Sequence, residues 1–393
     1  MLFKKIDAAP ADPVLALNKK FRADTRTEKM NLGIGVFRDE RGTTPIFKAV
    51  KEAELRVQAS QDTKEYLGIA GNRGFLEAVG RLIFPQETLD DGYRAFQSVG
   101  GTGGVRIILD SLATAAQGAT VWLPALTWGN HRAIAASCGF SFKAYDWSAF
   151  DMIGDAENAI ESMSEAKSGD IIVLHANCHN PTGIDMSSDA LEKFSAFLAE
   201  RDIFPVIDAA YLGFGAGLDA DLVRLQKLAN GFSELAIVFS CSKNFGLYRD
   251  RVGALFIKGD DHDALAKTYS NMEAAIRANY SMPADHGAVV VSTILNDPEL
   301  SASWRSELEA QRLYVVGSRQ MLADNLAATI PAQDWSYIRE GFGMFSMLPF
   351  KAERLQALAT EKAIYIMSSG RINVAGLQRD KIPGVAKVLA DYF

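Results

Sequence analysis

Five short runs of apolar residues in the middle of the chain restrict its fold more than any other feature. They occupy residues 119–123, 170–175, 204–208, 235–240 and 252–257. Within each run the apolar residues are nearly continuous rather than alternating, which is typical of strands buried on both faces of a sheet. Amphipathic segments separate them, and in residues 188–200 Leu191, Phe194, Phe197 and Leu198 are expected on one helical face. The pattern predicts an α/β fold with a mostly parallel sheet covered by helices.

The last quarter of the chain has a different pattern. A long helical pattern covers about residues 299–326, short apolar segments follow at 341–347 and 363–367, and a closing helix is expected near 382–389. Phe345, in the first apolar segment, is expected to serve as core packing. This mixture of helices and isolated short strands predicts a smaller α+β domain at the end of the chain.

The charge balance of the chain disfavours partners that bind basic surfaces. The 393 residues include 41 Lys and Arg against 48 Asp and Glu, which gives a net charge of −7. Nucleic-acid-binding proteins usually carry a basic patch, so we expect no nucleic-acid partner. A site for an anionic substrate must therefore be built locally from a few placed cations.

Cysteine content and hydropathy indicate a protein of a reducing, aqueous compartment. Cys138, Cys178 and Cys241 are too few and too scattered for a disulfide framework or a zinc site, so we expect reduced thiols and no bound metal. The N-terminal residues contain no apolar signal-peptide core, and no apolar run approaches the roughly 20 residues of a membrane span. We therefore expect a cytoplasmic protein without a membrane partner.

Polar residues directly follow three of the predicted strands. Asn180 comes after the run at 170–175. Asp208 ends the run at 204–208 and Tyr211 follows it, while Ser240 ends the run at 235–240 and Lys243 follows it. Ligands of open α/β sheets bind beyond the carboxyl ends of strands, so these side chains are expected to converge. Each has an ordinary alternative when taken singly: a turn at Asn180, a helix cap at Asp208, a surface lysine at Lys243.

A glycine-rich segment at residues 99–104 precedes a helical pattern at 105–112. Glycines let the backbone approach a ligand, and N–H groups at a helix start bind anions. The segment lacks the Gly-Lys-Ser/Thr of a nucleotide-binding loop, and Arg106 stands where a dinucleotide fingerprint needs its third glycine. An NAD-dependent dehydrogenase is therefore disfavoured, and the segment alone fits an anion site or a plain turn equally well.

Nine segments along the chain, some of them containing the residues above, follow one another in the order of a known set of family motifs. They lie at residues 8–13, 31–36, 66–68, 100–103, 128–131, 178–183, 240–251, 274–281 and 369–376. Together they resemble the motifs of class I aminotransferases that use pyridoxal phosphate, of the aspartate and aromatic amino acid type. The resemblance spans nearly the whole chain. It implies fold type I of the pyridoxal-phosphate enzymes, with a seven-stranded large domain, a small α+β domain and a homodimer with shared active sites.

The resemblance also implies domain boundaries. Residues 1–43 would form an N-terminal arm and part of the small domain, 44–311 the large cofactor-binding domain, and 312–393 the small C-terminal domain. The arm contains Pro10 and Pro13 and is expected to be extended, since proline restricts the residue before it.

Roles around the cofactor ring follow from the resemblance. It implies that Lys243 forms a Schiff base with the cofactor aldehyde and afterwards moves the substrate proton. Asp208 would pair with the pyridine nitrogen, with His131 behind it as a supporting residue; a satisfied core histidine is the alternative for His131. Tyr211 and Asn180 would hydrogen-bond the ring oxygen.

Roles at the phosphate also follow from the resemblance. It implies that Gly101 and Thr102, at the start of a helix, bind the cofactor phosphate together with Ser240 and Arg251. Tyr66 would reach the same phosphate from the neighbouring subunit. A helix start with one guanidinium is a sufficient anion site in an acidic protein.

Substrate recognition would rest on two arginines. Arg371 matches the residue that grips the substrate α-carboxylate, and Arg277 matches the one that the partner subunit provides for a distal carboxylate. Gly35, Asn180 and Trp128, which would stack on the cofactor ring, are expected to complete the substrate pocket.

Two positions depart from the family pattern and bear on substrate choice. Met282 stands where the family commonly has Asn or Ser, and Leu212 stands where Gln is common. Both make the surroundings more apolar, which favours aromatic substrates. Three other positions instead resemble the aspartate-type enzymes rather than the aromatic type: Val36, Arg38 and Thr44.

The sequence thus predicts an aminotransferase that exchanges amino groups between aspartate and 2-oxoglutarate by a ping-pong mechanism. Aromatic substrates are either a further activity or, as an alternative, the main one. A β-lyase or decarboxylase on the same fold is a less favoured alternative. A regulatory module without activity is disfavoured, because Lys243 is present and no basic DNA-binding segment precedes the domain.

Overall fold

The computed structural model of the protein describes residues 1–9, 11–148 and 154–393. Pro10, part of the predicted extended arm, lies outside the described residues. The chain divides into two compact units. The small unit contains Met1–Thr44, Val315–Glu340 and Met344–Phe393, and the large unit contains Pro45–Tyr314 and Gly341–Gly343. The domain boundaries after residues 43 and 311 stay a prediction.

The β-strands are short in the small unit and longer in the large one. They are β1 (Met30–Asn31), β2 (Arg94–Val99), β3 (Thr120–Pro124), β4 (Ser141–Tyr145), β5 (Ile171–His175), β6 (Phe204–Ala209), β7 (Glu234–Ser240), β8 (Val252–Gly259), β9 (Phe345–Met347), β10 (Ile364–Tyr365) and β11 (Arg371–Asn373).

Helices connect most of the strands. They are α1 (Pro13–Ala23), α2 (Lys48–Ser60), α3 (Arg73–Ile83), α4 (Gly100–Ala115), α5 (Asn130–Ser137), α6 (Ala156–Ser162), α7 (Ser188–Glu200), α8 (Leu218–Ala229), α9 (Cys241–Asn244), α10 (His262–Asn279), α11 (His286–Asn296), α12 (Pro298–Thr329), α13 (Ser336–Glu340), α14 (Ala352–Lys362) and α15 (Ile382–Tyr392). In the described residues no helix is both long and apolar enough to cross a membrane.

The large unit is built on a seven-stranded sheet in the order β2-β8-β7-β6-β5-β3-β4. All strands run parallel except β8, which is antiparallel to both β2 and β7. The predicted α/β class with a mostly parallel sheet is therefore confirmed. The five predicted runs are β3 and β5 to β8, and every residue of β5 is buried, as its continuous apolar sequence requires.

Sequence reasoning missed the two edge strands, β2 and β4. Four of the five residues of β4 are exposed, and β2 carries Arg94, Gln97 and Ser98. The exposure of β4 explains why it lacks the continuous apolar run of the inner strands. β2 is mostly buried, but the polar residues Gln97 and Ser98 interrupt its apolar run.

The helix after the glycine-rich segment begins earlier than the pattern at 105–112 suggests. It begins at Gly100, so the glycines belong to α4 itself. α4 packs against β7 and β8. A Cβ at Gly104 would lie 2.6 Å from a side-chain carbon of Val238 in β7, so glycine allows the helix to approach the sheet closely.

The small unit joins segments from both ends of the chain. β1 pairs with β10 in parallel, and β9 pairs with β11 antiparallel. The expectation of an extended arm at Pro13 is wrong: Pro13 is the first residue of α1, and the Asp12 side chain accepts a hydrogen bond from the backbone N–H of Leu15 at 2.9 Å. Proline suits that position because the first N–H of a helix has no intrahelical partner.

Candidate active site

A cavity of about 160 Å³ lies at the carboxyl ends of β5, β6 and β7 in the large unit. Its lining comprises Gly101, Thr102, Trp128, His175, Asn180, Asp208, Ala210, Tyr211, Ser240, Ser242, Lys243 and Arg251. The structure therefore brings together nine of the residues that the sequence singled out for the cofactor. They converge because the three strands are parallel neighbours, which places their carboxyl ends at one edge of the sheet.

Asp208, in β6, forms a buried pair with His131 from α5. Nε2 of His131 lies 3.0 Å from Oδ2 of Asp208, and Nδ1 lies 2.9 Å from the hydroxyl of Thr127. Burial by itself raises the pKa of Asp208, but the hydrogen bond and charge of His131, with smaller effects of His175 and Lys243, hold it below the ordinary value. The pair therefore keeps a carboxylate ionised inside the protein.

His175, the last residue of β5, stands beside this pair in strand register with Asp208. Its ring centroid lies 5.3 Å from that of His131. Burial, with the neighbouring His131, lowers the pKa of His175 to about 3, so the ring is neutral. Ligand atoms of His131, His175 and Asp208 lie within 4.8 Å of one another. The direct contact between His131 and Asp208, however, occupies atoms that a metal ion would need.

Lys243 projects into the cavity from the short helix α9, which follows β7. Its Nζ lies 4.9 Å from the ring centroid of Tyr211. The Tyr211 hydroxyl accepts a hydrogen bond of 3.2 Å from Nδ2 of Asn180. Behind the lysine, the indole N–H of Trp304 donates to the carbonyl of Asn244 at 2.7 Å, which anchors the turn that carries it. An amine, a phenol and an amide thus face one small space.

The opposite end of the cavity is rich in groups that bind anions. Nη1 of Arg251 lies 3.3 Å from the hydroxyl of Ser242 and 3.2 Å from the carbonyl oxygen of Tyr248. The first turn of α4, which begins at Gly100 with φ +65°, presents its N–H groups at the same end. A Cβ at Gly100 would lie 2.5 Å from Nη2 of Arg251, so only glycine leaves room for the guanidinium.

Two further predicted residues of the large unit, Tyr66 and Arg277, do not line this cavity. Tyr66 is 93% exposed. Arg277 is exposed in the last turn of α10 and donates to the hydroxyl of Ser281. Of the two departures from the family pattern, Leu212 is fully buried and Met282 is half-buried.

In the small unit, Arg371 is held at the start of β11. Its Nη2 donates to the carbonyl oxygen of Gly33 at 2.7 Å, and its Cζ lies 4.5 Å from the ring centroid of Phe345. Both side chains are buried. Gly35, predicted to line the substrate pocket, lies in the same unit and is half-buried.

The family model of aminotransferases class I and II matches residues 27–389. The chain belongs to this family. The resemblance found in the sequence is therefore confirmed, and so is its implication that the chain is a transaminase.

This aminotransferase is similar to curated proteins of two substrate types. It is 41% identical over 389 residues to a tyrosine aminotransferase of Rhizobium meliloti, covering 98% of both chains. It is 39% identical over 385 residues to an aspartate aminotransferase of Haemophilus influenzae, covering 97% of both.

Solved structures of the same two types share its fold. An aromatic-amino-acid aminotransferase from Burkholderia pseudomallei, covalently bound to pyridoxal phosphate, matches with a TM-score of 0.94 at 36% identity, covering 100% of this chain and 99% of that one. The aspartate aminotransferase of Saccharomyces cerevisiae cytoplasm matches with a TM-score of 0.95 at 28% identity, covering 100% of this chain and 98% of that one. Fold type I is thus confirmed for this aminotransferase.

Sequence reasoning missed two polar residues in the cavity of this aminotransferase. Ser242 lies next to Lys243 and contacts Arg251. His175 is the only polar residue of β5, and a polar residue at the end of a buried apolar strand was the available signal. A buried polar residue at the carboxyl end of a parallel strand points into the ligand site of such sheets.

Proposed function

We propose that this aminotransferase moves amino groups between aspartate and 2-oxoglutarate with pyridoxal phosphate, and that it also accepts aromatic amino acids. The observation that carries this proposal is the position of Lys243, which shares one cavity with Asp208 and with the Asn180–Tyr211 pair. A primary amine, an ionised buried carboxylate and a phenol are the groups that this chemistry requires.

The residues of the cavity fit the cofactor at both of its ends. The α4 turn, Ser240, Ser242 and Arg251 form a donor set for a phosphate. At the other end Asp208 would hold a protonated pyridine nitrogen, while Asn180 and Tyr211 would hold the ring oxygen. Trp128 would cover one face of the ring. When bound, the cofactor supplies an aldehyde that exchanges amines and a ring that accepts electrons from the substrate Cα.

Lys243 has two tasks in this proposal. Its amine holds the cofactor covalently in the resting enzyme. With substrate bound, the free amine of Lys243 would take the proton from the substrate Cα as general base and deliver it, as general acid, to the cofactor carbon that carries the amino group. The buried pair of His131 and Asp208 supports this step, since an ionised Asp208 stabilises positive charge on the ring nitrogen.

Substrate carboxylates are assigned to two arginines. Arg371 would bind the α-carboxylate that all amino acid substrates share, and Arg277 would bind the distal carboxylate of aspartate or glutamate. A planar guanidinium makes two parallel hydrogen bonds to a carboxylate, which fixes orientation as well as adding affinity.

We place Arg277 and Tyr66 in the active site of the partner subunit of a homodimer. The exposure of both side chains supports this placement, because a residue donated across an interface is exposed in the isolated chain. A mixture of Lys243→Ala and Arg277→Leu subunits tests it. Half of the random dimers would be mixed, each with one intact site, so about a quarter of wild-type activity with aspartate should return. No return of activity would place Arg277 in its own subunit's site.

The absorption spectrum tests the cofactor assignment. Addition of pyridoxal phosphate should produce a visible-range band, and Lys243→Ala should abolish turnover while non-covalent binding remains. Lys258→Ala is the matched control. Lys258, on β8, pairs with Glu87 and does not line the cavity. Absence of any new band in the wild type would contradict the proposal. Release of pyruvate without dependence on an oxo acid would instead identify a β-lyase.

Aromatic substrates are favoured by the apolar character of Met282 and Leu212. A panel of aspartate, tyrosine and phenylalanine, each with 2-oxoglutarate, ranks the activities directly. Met282→Asn should lower aromatic turnover more than aspartate turnover. Equal effects on both would refute a role of Met282 in selectivity, and a faster reaction with tyrosine than with aspartate would make the aromatic activity the main one.

We also propose that the enzyme works in the cytoplasm. The three cysteines, all within the described residues, form no disulfide, which suits a reducing compartment. Fractionation of the source cells with an antibody against the protein tests this location, and recovery from a secreted fraction would refute it.

A further inference from the structure

The guanidinium of Arg371 lies over an aromatic ring in the interior of the small unit. Its Cζ is 4.5 Å from the ring centroid of Phe345, and the two residues are 8% and 3% exposed. A cation over a ring face is attracted to it, and the attraction is stronger where water is excluded. From this contact we infer that Phe345 is a positioning residue, whose ring fixes the guanidinium plane of Arg371 for the substrate α-carboxylate. The inference rests on the proposed function of Arg371.

The strand pairing places the two side chains on one face. Phe345 in β9 stands opposite Asn373 in β11, and Arg371 lies two residues before Asn373 on the same strand. Residues two apart on a strand share a face, so Phe345 and Arg371 form a diagonal cross-strand pair. Diagonal pairs are within reach of aromatic and long side chains, so the contact is a consequence of the register.

The ring is restrained at its far end by Gly35. A Cβ at Gly35 would lie 2.6 Å from Cζ of Phe345, which is too close for any side chain. The backbone of Phe345 is restrained as well. Arg319, which is 1% exposed, donates to the carbonyl oxygen of Phe345 and, at 2.9 Å, to that of Ile338.

The contacts that hold Arg371 include a hydrogen bond and a cation–ring contact. The carbonyl oxygen of Gly33 accepts a hydrogen bond of 2.7 Å from Nη2, and Cζ of the guanidinium lies over the ring of Phe345. An arginine whose plane is already set loses less conformational freedom when it binds a carboxylate, so substrate affinity rises. The sequence assigned Phe345 to core packing alone, whereas the register gives it this second task.

Every amino acid substrate carries the α-carboxylate, so the effect of Phe345 should not depend on the substrate side chain. Phe345→Leu should raise KM for aspartate and for tyrosine alike, by roughly tenfold, a factor that corresponds to a typical buried cation–ring contact. Its kcat should change less than threefold, because the reacting atoms are not touched. Phe350→Leu, at another buried phenylalanine of the small unit, is the matched control and should leave KM unchanged.

Replacement of Phe345 by 3,5-difluorophenylalanine separates ring electronics from packing. The ring keeps its shape and its Cζ position against Gly35, but its negative face is weakened. KM should rise to a value between those of wild type and Phe345→Leu. A packing role alone predicts no change, and that result overturns the inference, as does a Phe350→Leu variant with the same rise in KM.

Failure of the underlying function has a different signature. If wild-type enzyme with its pyridoxal-phosphate band intact shows no transamination, then the proposed function is wrong. If wild type is active and neither Phe345 variant changes KM, only the positioning role is wrong. Should Phe345→Leu fail to fold, the 3,5-difluorophenylalanine variant decides the inference by itself: a rise in KM for both substrates supports it, and an unchanged KM overturns it.

Discussion

Nε2 of His131 and Oδ2 of Asp208 lie 3.0 Å apart, and their side chains are 0% and 8% exposed. The pair joins α5 to β6 beneath the cavity that holds Lys243. Burial alone would favour a protonated Asp208, and the contact with His131 reverses that preference. Removal of the histidine should therefore act on the charge of Asp208 more than on its place in the fold.

His131→Leu should lower kcat by about 10- to 100-fold, since a hydrogen bond to a buried charge contributes roughly 1.5–3 kcal/mol. Without the histidine, burial raises the pKa of Asp208, so the acidic limb of the kcat/KM profile should move to higher pH. Steady-state rates between pH 5 and 9 measure both effects. His262→Leu, at the exposed start of α10, is the control. An unshifted acidic limb would contradict this account.

Gly100→Ala should weaken cofactor binding without unfolding the protein. Gly100 has φ +65°, and a Cβ there would lie 2.5 Å from Nη2 of Arg251, so alanine both strains the backbone and displaces the guanidinium. Gly118→Ala separates the two effects, because Gly118 has φ +82° but its Cβ would meet no described atom within 4 Å. We expect the Kd for pyridoxal phosphate to rise at least tenfold in Gly100→Ala alone, because the charged Arg251 donor is displaced. Equal losses in both variants would assign the effect to backbone strain.

Asp221 gives the stability of the large unit an unusual dependence on pH. Its carboxylate accepts hydrogen bonds from the backbone N–H groups of Gly213, Gly215 and Ala216, in the loop that follows Tyr211. It also accepts one from the side-chain amide of Asn177. Burial nevertheless raises the pKa of Asp221 to about 6.

The folded protein then binds more protons than the unfolded chain between about pH 4 and pH 6, so the contribution of Asp221 to stability falls as pH rises through that window, by about 3 kcal/mol. Asp221→Asn removes this titration. The Tm of this variant should therefore fall further below that of wild type at pH 4.5 than at pH 7.5. Asp219→Asn, an exposed neighbour that pairs with Arg305, should show no such difference. A loss from Asp221→Asn that is the same at both pH values would refute the assignment.

Arg277→Leu should separate the two substrate classes. We propose that Arg277 binds the distal carboxylate, so its loss should reduce kcat/KM for aspartate by at least 100-fold, while kcat/KM for tyrosine, which lacks that group, should change less than threefold. Arg305→Leu, at a half-buried arginine of α12 that pairs with Asp219, controls for loss of a positive charge. A parallel fall for both substrates would remove Arg277 from side-chain recognition.

Local sequence was sufficient for the inner sheet and for the residues at its strand ends. Strands β3 and β5 to β8 were found because burial on both faces demands continuous apolar residues. Asn180, Asp208 and Lys243 converge because parallel strands end at one edge, a consequence of topology that needs no side-chain detail. The family resemblance added Arg251 and Gly101, which line the same cavity.

The tertiary structure alone decided which distant residues contact one another. The pairing of Phe345 with Arg371 depends on the β9–β11 register, and that of His131 with Asp208 depends on how α5 packs beside β6. The pattern of apolar residues records whether a residue is buried, but not which partner it meets. Sequence therefore determined the class of fold and the chemistry at its strand ends, whereas packing set the contacts that hold Arg371 in place and Asp208 ionised.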